Sequence, residues 1–400
     1  MTLPDSLLGR NKHLHLMHSN ICRILKISLP LFLSPLAGGP GTPQLAAIVS
    51  NSGGLGSLAC AYNNGDQIRS VIRQTKQLTD KPFAVNIFVH DDHLESQFSS
   101  DERKLAIDRI RKRCIPIMVE LEAETGEQIK VENDTVESFL KKFRLPSMEE
   151  QLHVILEEKP PVLTFTFGLL SSDWVQRFHS NNILVGGTCT TVEEAKQLES
   201  LGVDFITVQG AEAGGHRGSF IFKAAGDSTN RHCSCIELET LLMDCLSVVK
   251  LPLIAAGGIS NGRKIRSLLR KGASGVQLGT VFMTCKEAGT HAIHCQILQT
   301  AKPSDTTVTS CFTGRSARGY CNRIVDYLES FDTEFLPFPY QSGITRSISN
   351  HAAKYLPALR AADFMQLWMG QSVPVKHNMR AKELIELLKT EWLESDSLEN

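Results

Sequence analysis

Eight short apolar runs, separated by helical patterns and glycine-rich turns, constrain the fold of this 400-residue chain more than any other feature. The runs cover residues 31–35, 55–59, 83–89, 161–167, 183–185, 205–208, 253–256 and 275–278. Apolar runs that alternate with helical patterns are the mark of βαβ units and a parallel sheet. The punctuation agrees. Thr42 is placed to cap a helix with Pro43 at its first position, and Gly53-Gly54 ends it. Asp66 is expected to cap a helix running to about Leu78. Helical stretches at 147–158, 191–201 and 261–271 continue the pattern. Eight alternations predict an α/β fold closed into a (β/α)8 TIM barrel. The rival is an open doubly wound sheet, which would concentrate its glycine fingerprint at the first βα turn. Here glycine-rich turns follow several strands along the whole chain.

Two segments fall outside the alternation. Residues 91–146 are polar and charged, with helical stretches such as 101–112, and read as an inserted helical region. Residues 311–400 read as a helical C-terminal extension. It contains a helical stretch at 348–367, which Pro357 should break, and an amphipathic helix at 381–392. The barrel itself is assigned to 18–90 and 147–310. Lys and Arg total 42 against 43 Asp and Glu, a net charge of −1. That balance gives no global attraction to nucleic acid or to an anionic membrane. No stretch approaches the ~20 apolar residues of a membrane helix, and the N-terminal residues carry no signal-peptide pattern. The expected location is cytoplasmic. Eleven cysteines, odd in number and irregular in spacing, argue against a disulfide framework. Cys233 and Cys235, beside His232, lack the second paired cluster that zinc sites bring, so no metal site is expected.

Three segments carry chemistry. Residues 208–218 follow the sixth strand, so they open at the C-terminal face where barrels build active sites. Four glycines in nine residues let the backbone approach a ligand closely, and His216 stands among them. The alternative is a surface loop with an incidental histidine. Gly257-Gly258 follows the seventh strand, and Gly275–Thr280 forms and follows the eighth. Unpartnered N–H groups at these turns suit a phosphate dianion. Otherwise Gly258 and Gly279 simply make tight turns.

The ordered set of motifs resembles the nitronate monooxygenase family, formerly called 2-nitropropane dioxygenases, from about Asn20 to Gln371. It comprises Pro35-Leu36-Ala37-Gly38-Gly39, Asn51-Ser52-Gly53-Gly54-Leu55-Gly56-Ser57, Phe83-Ala84-Val85-Asn86-Ile87-Phe88, Phe165-Thr166-Phe167-Gly168 and the Gln209–Gly218 loop. Gly314-Arg315-Ser316-Ala317-Arg318-Gly319 and Leu367-Trp368-Met369-Gly370-Gln371 complete it. The resemblance implies FMN, contacted by Asn86, Gln209, Gly214, Gly258, Gln277, Leu278, Gly279 and Thr280, with Ala37 and Gly38 bordering the isoalloxazine. It implies that His216 is the catalytic base, a role suited to a side chain titrating near neutrality. One departure is Leu36, where the family often has Met. The implied reaction is oxidation of an alkyl nitronate, such as propionate 3-nitronate, by FMN and O2 to a carbonyl compound and nitrite. Rival readings are an FMN-dependent enoyl-acyl-carrier-protein reductase or other NADH-dependent flavin reductase, a flavin-binding protein without turnover, and a barrel that binds a phosphorylated metabolite. Trp368 and Phe312 read as packing residues, and Cys189 and Cys285 as structural thiols. Arg217 is either an anion-attracting group or a solvated loop charge.

Overall fold

The computed structural model describes residues 19–90, 100–129, 136–221, 235–331, 335–376 and 378–394. Eight parallel strands form its centre. These are β1 (Leu31–Leu33), β2 (Gly56–Ala59), β3 (Phe83–Phe88), β4 (Val162–Thr166), β5 (Leu184–Cys189), β6 (Phe205–Gln209), β8 (Leu253–Ala256) and β9 (Gly275–Leu278). The intervening β7 (Gly215–His216) lies in another sheet. The order β1-β9-β8-β6-β5-β4-β3-β2 closes through the Phe32–Leu55 bridge, where Leu33 N donates to Leu55 O at 2.9 Å. The closed (β/α)8 arrangement excludes the open doubly wound sheet. All eight apolar runs become strands because every strand is covered on both faces. Phe83, Val85, Phe165, Ile206, Val208 and Ile254 are all at most 2% exposed.

Helices α1 (Asn20–Leu25), α2 (Pro43–Asn51) and α3 (Gly65–Leu78) come first. Helix α1 plugs the N-terminal end of the barrel, where Ile21, Cys22 and Leu25 join Phe32, Ala84, Val162 and Phe205. The C-terminal end is therefore the open one. Thr42 Oγ1 accepts from Leu45 N and caps α2 around Pro43 as expected. Helix α3 departs from expectation by two residues. Asn64, not Asp66, is its cap, because Asn64 and Gln67 exchange side-chain-to-backbone hydrogen bonds in a capping box. Asp66 instead lies in the first turn, where its charge complements the helix dipole.

Between β3 and β4 lie α4 (Ser100–Thr125), α5 (Val136–Phe143) and α6 (Met148–Glu158). Then come α7 (Ser172–Ser180), α8 (Val192–Leu201), α9 (Leu238–Leu246), α10 (Gly262–Arg270) and α11 (Ala292–Thr300). The chain ends with α12 (Arg323–Glu329), α13 (Ser342–Tyr355), α14 (Ala358–Ala362) and α15 (Ala381–Glu394). The sequence places α4–α5 and the C-terminal residues in separate appendages. The structure gives them one core: Ile107, Ile110, Cys114, Leu121 and Phe139 are buried with Ile344, Ile348, Phe364 and Leu367. Helix α15 does not belong to that cap. Its Ala381, Leu384, Ile385, Leu388 and Trp392 are buried with the barrel core, against α10 and α2. Pro357 breaks the 348–367 stretch as expected, ending α13 and capping α14.

The C-terminal residues are also not wholly helical. Strands β10 (Thr306–Thr309) and β11 (Ala317–Tyr320) pair antiparallel, and β11 pairs with β7 in the register Ala317–His216. This small sheet is absent from the sequence reading, because a two-residue strand inside a glycine-rich loop shows no alternation.

Candidate active site

One large cavity, about 920 Å³ in volume, opens at the C-terminal end of the barrel. Its wall includes Ala37, Gly38, Asn86, Gln209, Gly214, His216, Gly258, Gln277, Leu278, Gly279 and Thr280, so the residues expected to contact the cofactor and the expected base come to one place. Leu36 lines it too. The barrel brings them together because they lie at or just beyond the C-terminal ends of five strands, β1, β3, β6, β8 and β9.

His216 is held from several directions. Its strand pairs with β11, and its Nε2 lies 2.9 Å from Thr313 Oγ1. The Thr313 hydroxyl also donates to the Arg315 carbonyl at 3.1 Å. With its single proton spent there, the hydroxyl accepts from Nε2, and the lone pair lies on Nδ1. Phe88, Phe167, Phe338 and Trp368 surround the imidazole with ring centroids 6.2, 5.8, 5.3 and 5.6 Å away. Burial among these rings, reinforced by the Arg315 charge, pushes the His216 pKa down to about 3. Titration near neutrality is therefore not what the structure gives; His216 stays neutral across the ordinary pH range. The Arg315 guanidinium stacks over Phe167 at 3.7 Å and donates to Ser219 O.

The loop carrying His216 is pinned at both ends. Gln209 Nε2 donates to His216 O at 3.0 Å, and its Oε1 accepts from Gly218 N at 2.8 Å. Arg217 is 1% exposed and donates to Gly210 O and Gln209 O. Neither reading of Arg217 from the sequence holds: it is a buried brace of the loop. Glu194 is fully buried and accepts from Thr190 N, Phe220 N and Ile221 N, fixing the loop's exit. Gly214 runs against another backbone. A Cβ there would lie 2.3 Å from Gly370 N and 2.4 Å from Met369 C.

Polar groups face the cavity without protein partners. Asn86 donates through Nδ2 to Thr164 Oγ1 at 3.0 Å, while its Oδ1 has no partner among the described residues. The N–H groups of Gly258 and Gly279 likewise meet no acceptor among them. Gly258 has φ +63°, a conformation that favours glycine, and turns its N–H at the end of β8. Two such donors, beside a short 3-10 turn at Thr280–Phe282, are of the kind that can receive an anion such as phosphate. Asn86, Gln277 and these donors suit a planar, amide-edged ligand with a single phosphate tail.

Sequence reasoning missed Thr313, Phe338, Arg315 and Glu194, which reach the site from distant segments. Trp368 reads from the sequence as a packing residue; it packs on Phe312 but also lines the cavity. Phe312 is 1% exposed and is packing only. Cys189 and Cys285 are buried thiols, both pushed upward in pKa mainly by their surroundings, Cys285 to about 12. Cys233 and His232 lie outside the described residues. Among the described residues no group of three or more His, Cys, Asp or Glu could hold a metal ion, and no helix is long and apolar enough to cross a membrane.

Comparison with known proteins places this geometry. The family model for nitronate monooxygenase matches residues 18–391. A probable nitronate monooxygenase of Bacillus subtilis is 32% identical over 363 residues, covering 90% of this chain and 95% of that one. One from Staphylococcus saprophyticus is 30% identical over 370 residues, covering 92% and 96%. Among solved structures, nitroalkane oxidase from Streptomyces ansochromogenes superposes with a TM-score of 0.78 at 29% identity, covering 95% of this chain and 99% of that one. FabK from Thermotoga maritima shares the fold, with a TM-score of 0.68 at 24% identity and coverage of 95% and 97%. The chain belongs to the nitronate monooxygenase family of flavin-dependent oxidoreductases.

Proposed function

We propose that this protein binds FMN and oxidises an alkyl nitronate of the propionate 3-nitronate type with O2, giving a carbonyl compound and nitrite. The observation that carries this reading is that the N–H groups of Gly258 and Gly279, which meet no acceptor among the described residues, share one large cavity with Asn86, Gln277 and His216. In it, Gly258, Gly279 and Thr280 would hold the phosphate, and Gln277 and Leu278 would also contact the cofactor. Asn86 and Gln209 would contact its ring, Ala37 and Gly38 would border it, and Gly214 would allow close backbone approach. When bound, FMN supplies the electron-accepting chemistry and its return to O2.

The chain's own residues do the rest. Phe88, Phe167, Phe338 and Trp368 exclude water around the reacting carbon. The half-buried Arg315 gives that wall a positive potential, which favours an anionic substrate over its neutral conjugate acid. His216 receives a proton at Nδ1 when the substrate arrives as a neutral nitroalkane. A preformed nitronate needs no such step. We place the protein in the cytoplasm, with no nucleic-acid partner.

The test is an anaerobic absorbance spectrum of the purified protein, alone, then with propionate 3-nitronate, then with NADH. Bleaching by the nitronate supports the reading. Bleaching by NADH alone would replace it with a nicotinamide-dependent reductase. Bound flavin that neither reduces would mark a binding protein, and a colourless protein would mark a barrel for a phosphorylated metabolite.

A further inference from the structure

The cavity extends outward from His216 towards α13 and the α5–α6 link. Among the described residues its wall contains no Asp or Glu, yet Arg144 and Arg346 both line it. Both are exposed, and neither pairs with a carboxylate among the described residues. Two guanidinium charges gathered at an opening in this way create an attractive potential for anions.

The placement is ordered. Ser342, Arg346, Ser349 and Asn350 follow one another at helical spacing along α13, and all four line the cavity. One face of α13 is thus a polar stripe with a guanidinium in its middle. Arg346 reaches inward electrostatically: burial pushes the Tyr62 hydroxyl up to about 12, and the Arg346 charge opposes that rise. Arg144 comes from the segment between β3 and β4. The glycines assigned to the phosphate, Gly258 and Gly279, follow β8 and β9. Three strands separate β3 from β8 in either direction round the closed barrel, so Arg144 and Gly258 belong to different connections at the barrel's rim. The cations therefore do not duplicate the phosphate site.

We propose that Arg346, with Ser342 and Asn350 on the same face of α13 and Arg144 from the segment between β3 and β4, forms an anion site. It takes a carboxylate or phosphate group carried by the substrate at the end away from its reacting carbon. The substrate part of this inference rests on the nitronate reading above. The planar guanidinium offers paired N–H donors that match the oxygens of either anion, while Ser342 and Asn350 complete the coordination; Ser349 instead donates to Phe364 O at 2.9 Å and fixes the helix. Such a site makes these residues the determinants of substrate choice, separate from the group that handles the reacting carbon.

The test compares two preformed nitronates of equal length, propyl-1-nitronate and propionate 3-nitronate, on the flavin-loaded enzyme. In Arg346→Gln, the ratio of kcat/KM for the carboxylate-bearing compound to that for the plain one should fall roughly 10- to 100-fold, through KM. Arg346→Lys should restore part of it, and Arg144→Gln should act in the same direction. A ratio unchanged in Arg346→Gln would overturn the proposal. A second measurement needs no turnover: calorimetric titration of wild type and Arg346→Gln with succinate and with inorganic phosphate. Arg346-dependent binding of succinate identifies a carboxylate site, and of phosphate a site for a phosphorylated compound. Binding of neither, or binding indifferent to Arg346, would overturn the site. If the wild type oxidises no nitronate, the functional reading fails, and the titrations still decide the anion site.

Discussion

Replacing His216 by Asn separates its chemistry from its packing. Asn keeps a polar side chain of similar reach but has no basic nitrogen. The His216 pKa lies at about 3 rather than the usual 6.5, which costs roughly 5 kcal/mol of proton affinity at about 1.36 kcal/mol per pH unit. A base this weak works at the low end of the usual range. The loss of turnover on a neutral nitroalkane should be on the order of 10²-fold rather than 10⁴-fold. A preformed nitronate carries no proton for His216 to remove, so its kcat/KM should change by less than roughly tenfold. The assay is oxygen consumption with nitroethane and ethylnitronate as a pair, with flavin content measured for each preparation. The pH profile adds a sharper test. His216 keeps its basic form until pH falls towards 3, so the wild-type rate on nitroethane should show no limb near pH 6.5 between pH 8 and 5. Equal losses on both substrates at full flavin occupancy would refute the assignment, whereas a limb at 6.5 that disappears in the variant would keep His216 as the base and refute its depressed pKa.

Four further outcomes follow from the geometry. Heat-released cofactor should chromatograph as FMN, since the Gly258 and Gly279 donors suit one phosphate; recovery of FAD would contradict this. Gly258→Asp places a carboxylate where a Cβ already lies 2.9 Å from Glu212 Cβ at φ +63°, so flavin occupancy should fall at least about tenfold. Gly258→Ala separates steric from electrostatic loss, and wild-type occupancy in Asp would show the phosphate site misplaced. Gly214→Ala should destabilise the fold by about 1–3 kcal/mol, read as a lower Tm, because its Cβ meets the Met369–Gly370 backbone. The pKa values of His216 and His294 are both depressed, to about 3 and about 4. Their contribution to stability is present above pH 6.5 and lost as pH falls towards those values, at up to about 1.4 kcal/mol per pH unit for each group. Urea unfolding at pH 7 and pH 5 should show the fall in wild type and a smaller one in His294→Gln; identical slopes would contradict it.

The barrel and its glycine turns were legible because each depends on local pattern. Apolar runs such as 253–256 and 275–278 coincide with strands to the residue, since both faces of a barrel strand are buried. Strand β5 runs on through Gly186 and Gly187, beyond the apolar run 183–185 that marks it in the sequence. These glycines are strand residues because the Phe205 ring and the Leu198 side chain occupy the space a Cβ would need. What could not be read depends on pairing between distant residues. His216 gains its partner from Thr313, 97 residues away, and its aromatic wall from Phe88, Phe167, Phe338 and Trp368. Arg217 looks solvated in a polar loop, and only the folded chain shows it bridging Gly210 and Gln209. The depressed pKa of His216 is likewise a property of the rings around it, not of the residue.

The cap over the barrel mouth has a consequence for how the chain matures. Its inner face is built from Ile107, Ile110, Cys114 and Leu121 on one side and Ile344, Ile348, Phe364 and Leu367 on the other. Synthesis proceeds from the N-terminus, so α4 emerges long before the residues that cover it. Through that interval a helix bearing buried-type side chains has no partner, and the ring closure that supplies one is entropically late. The nascent chain must be shielded over just this stretch. A messenger truncated before α13 would yield a barrel with an adhesive flap in place of an enclosed pocket, and such a product is a substrate for chaperones and proteases rather than for chemistry.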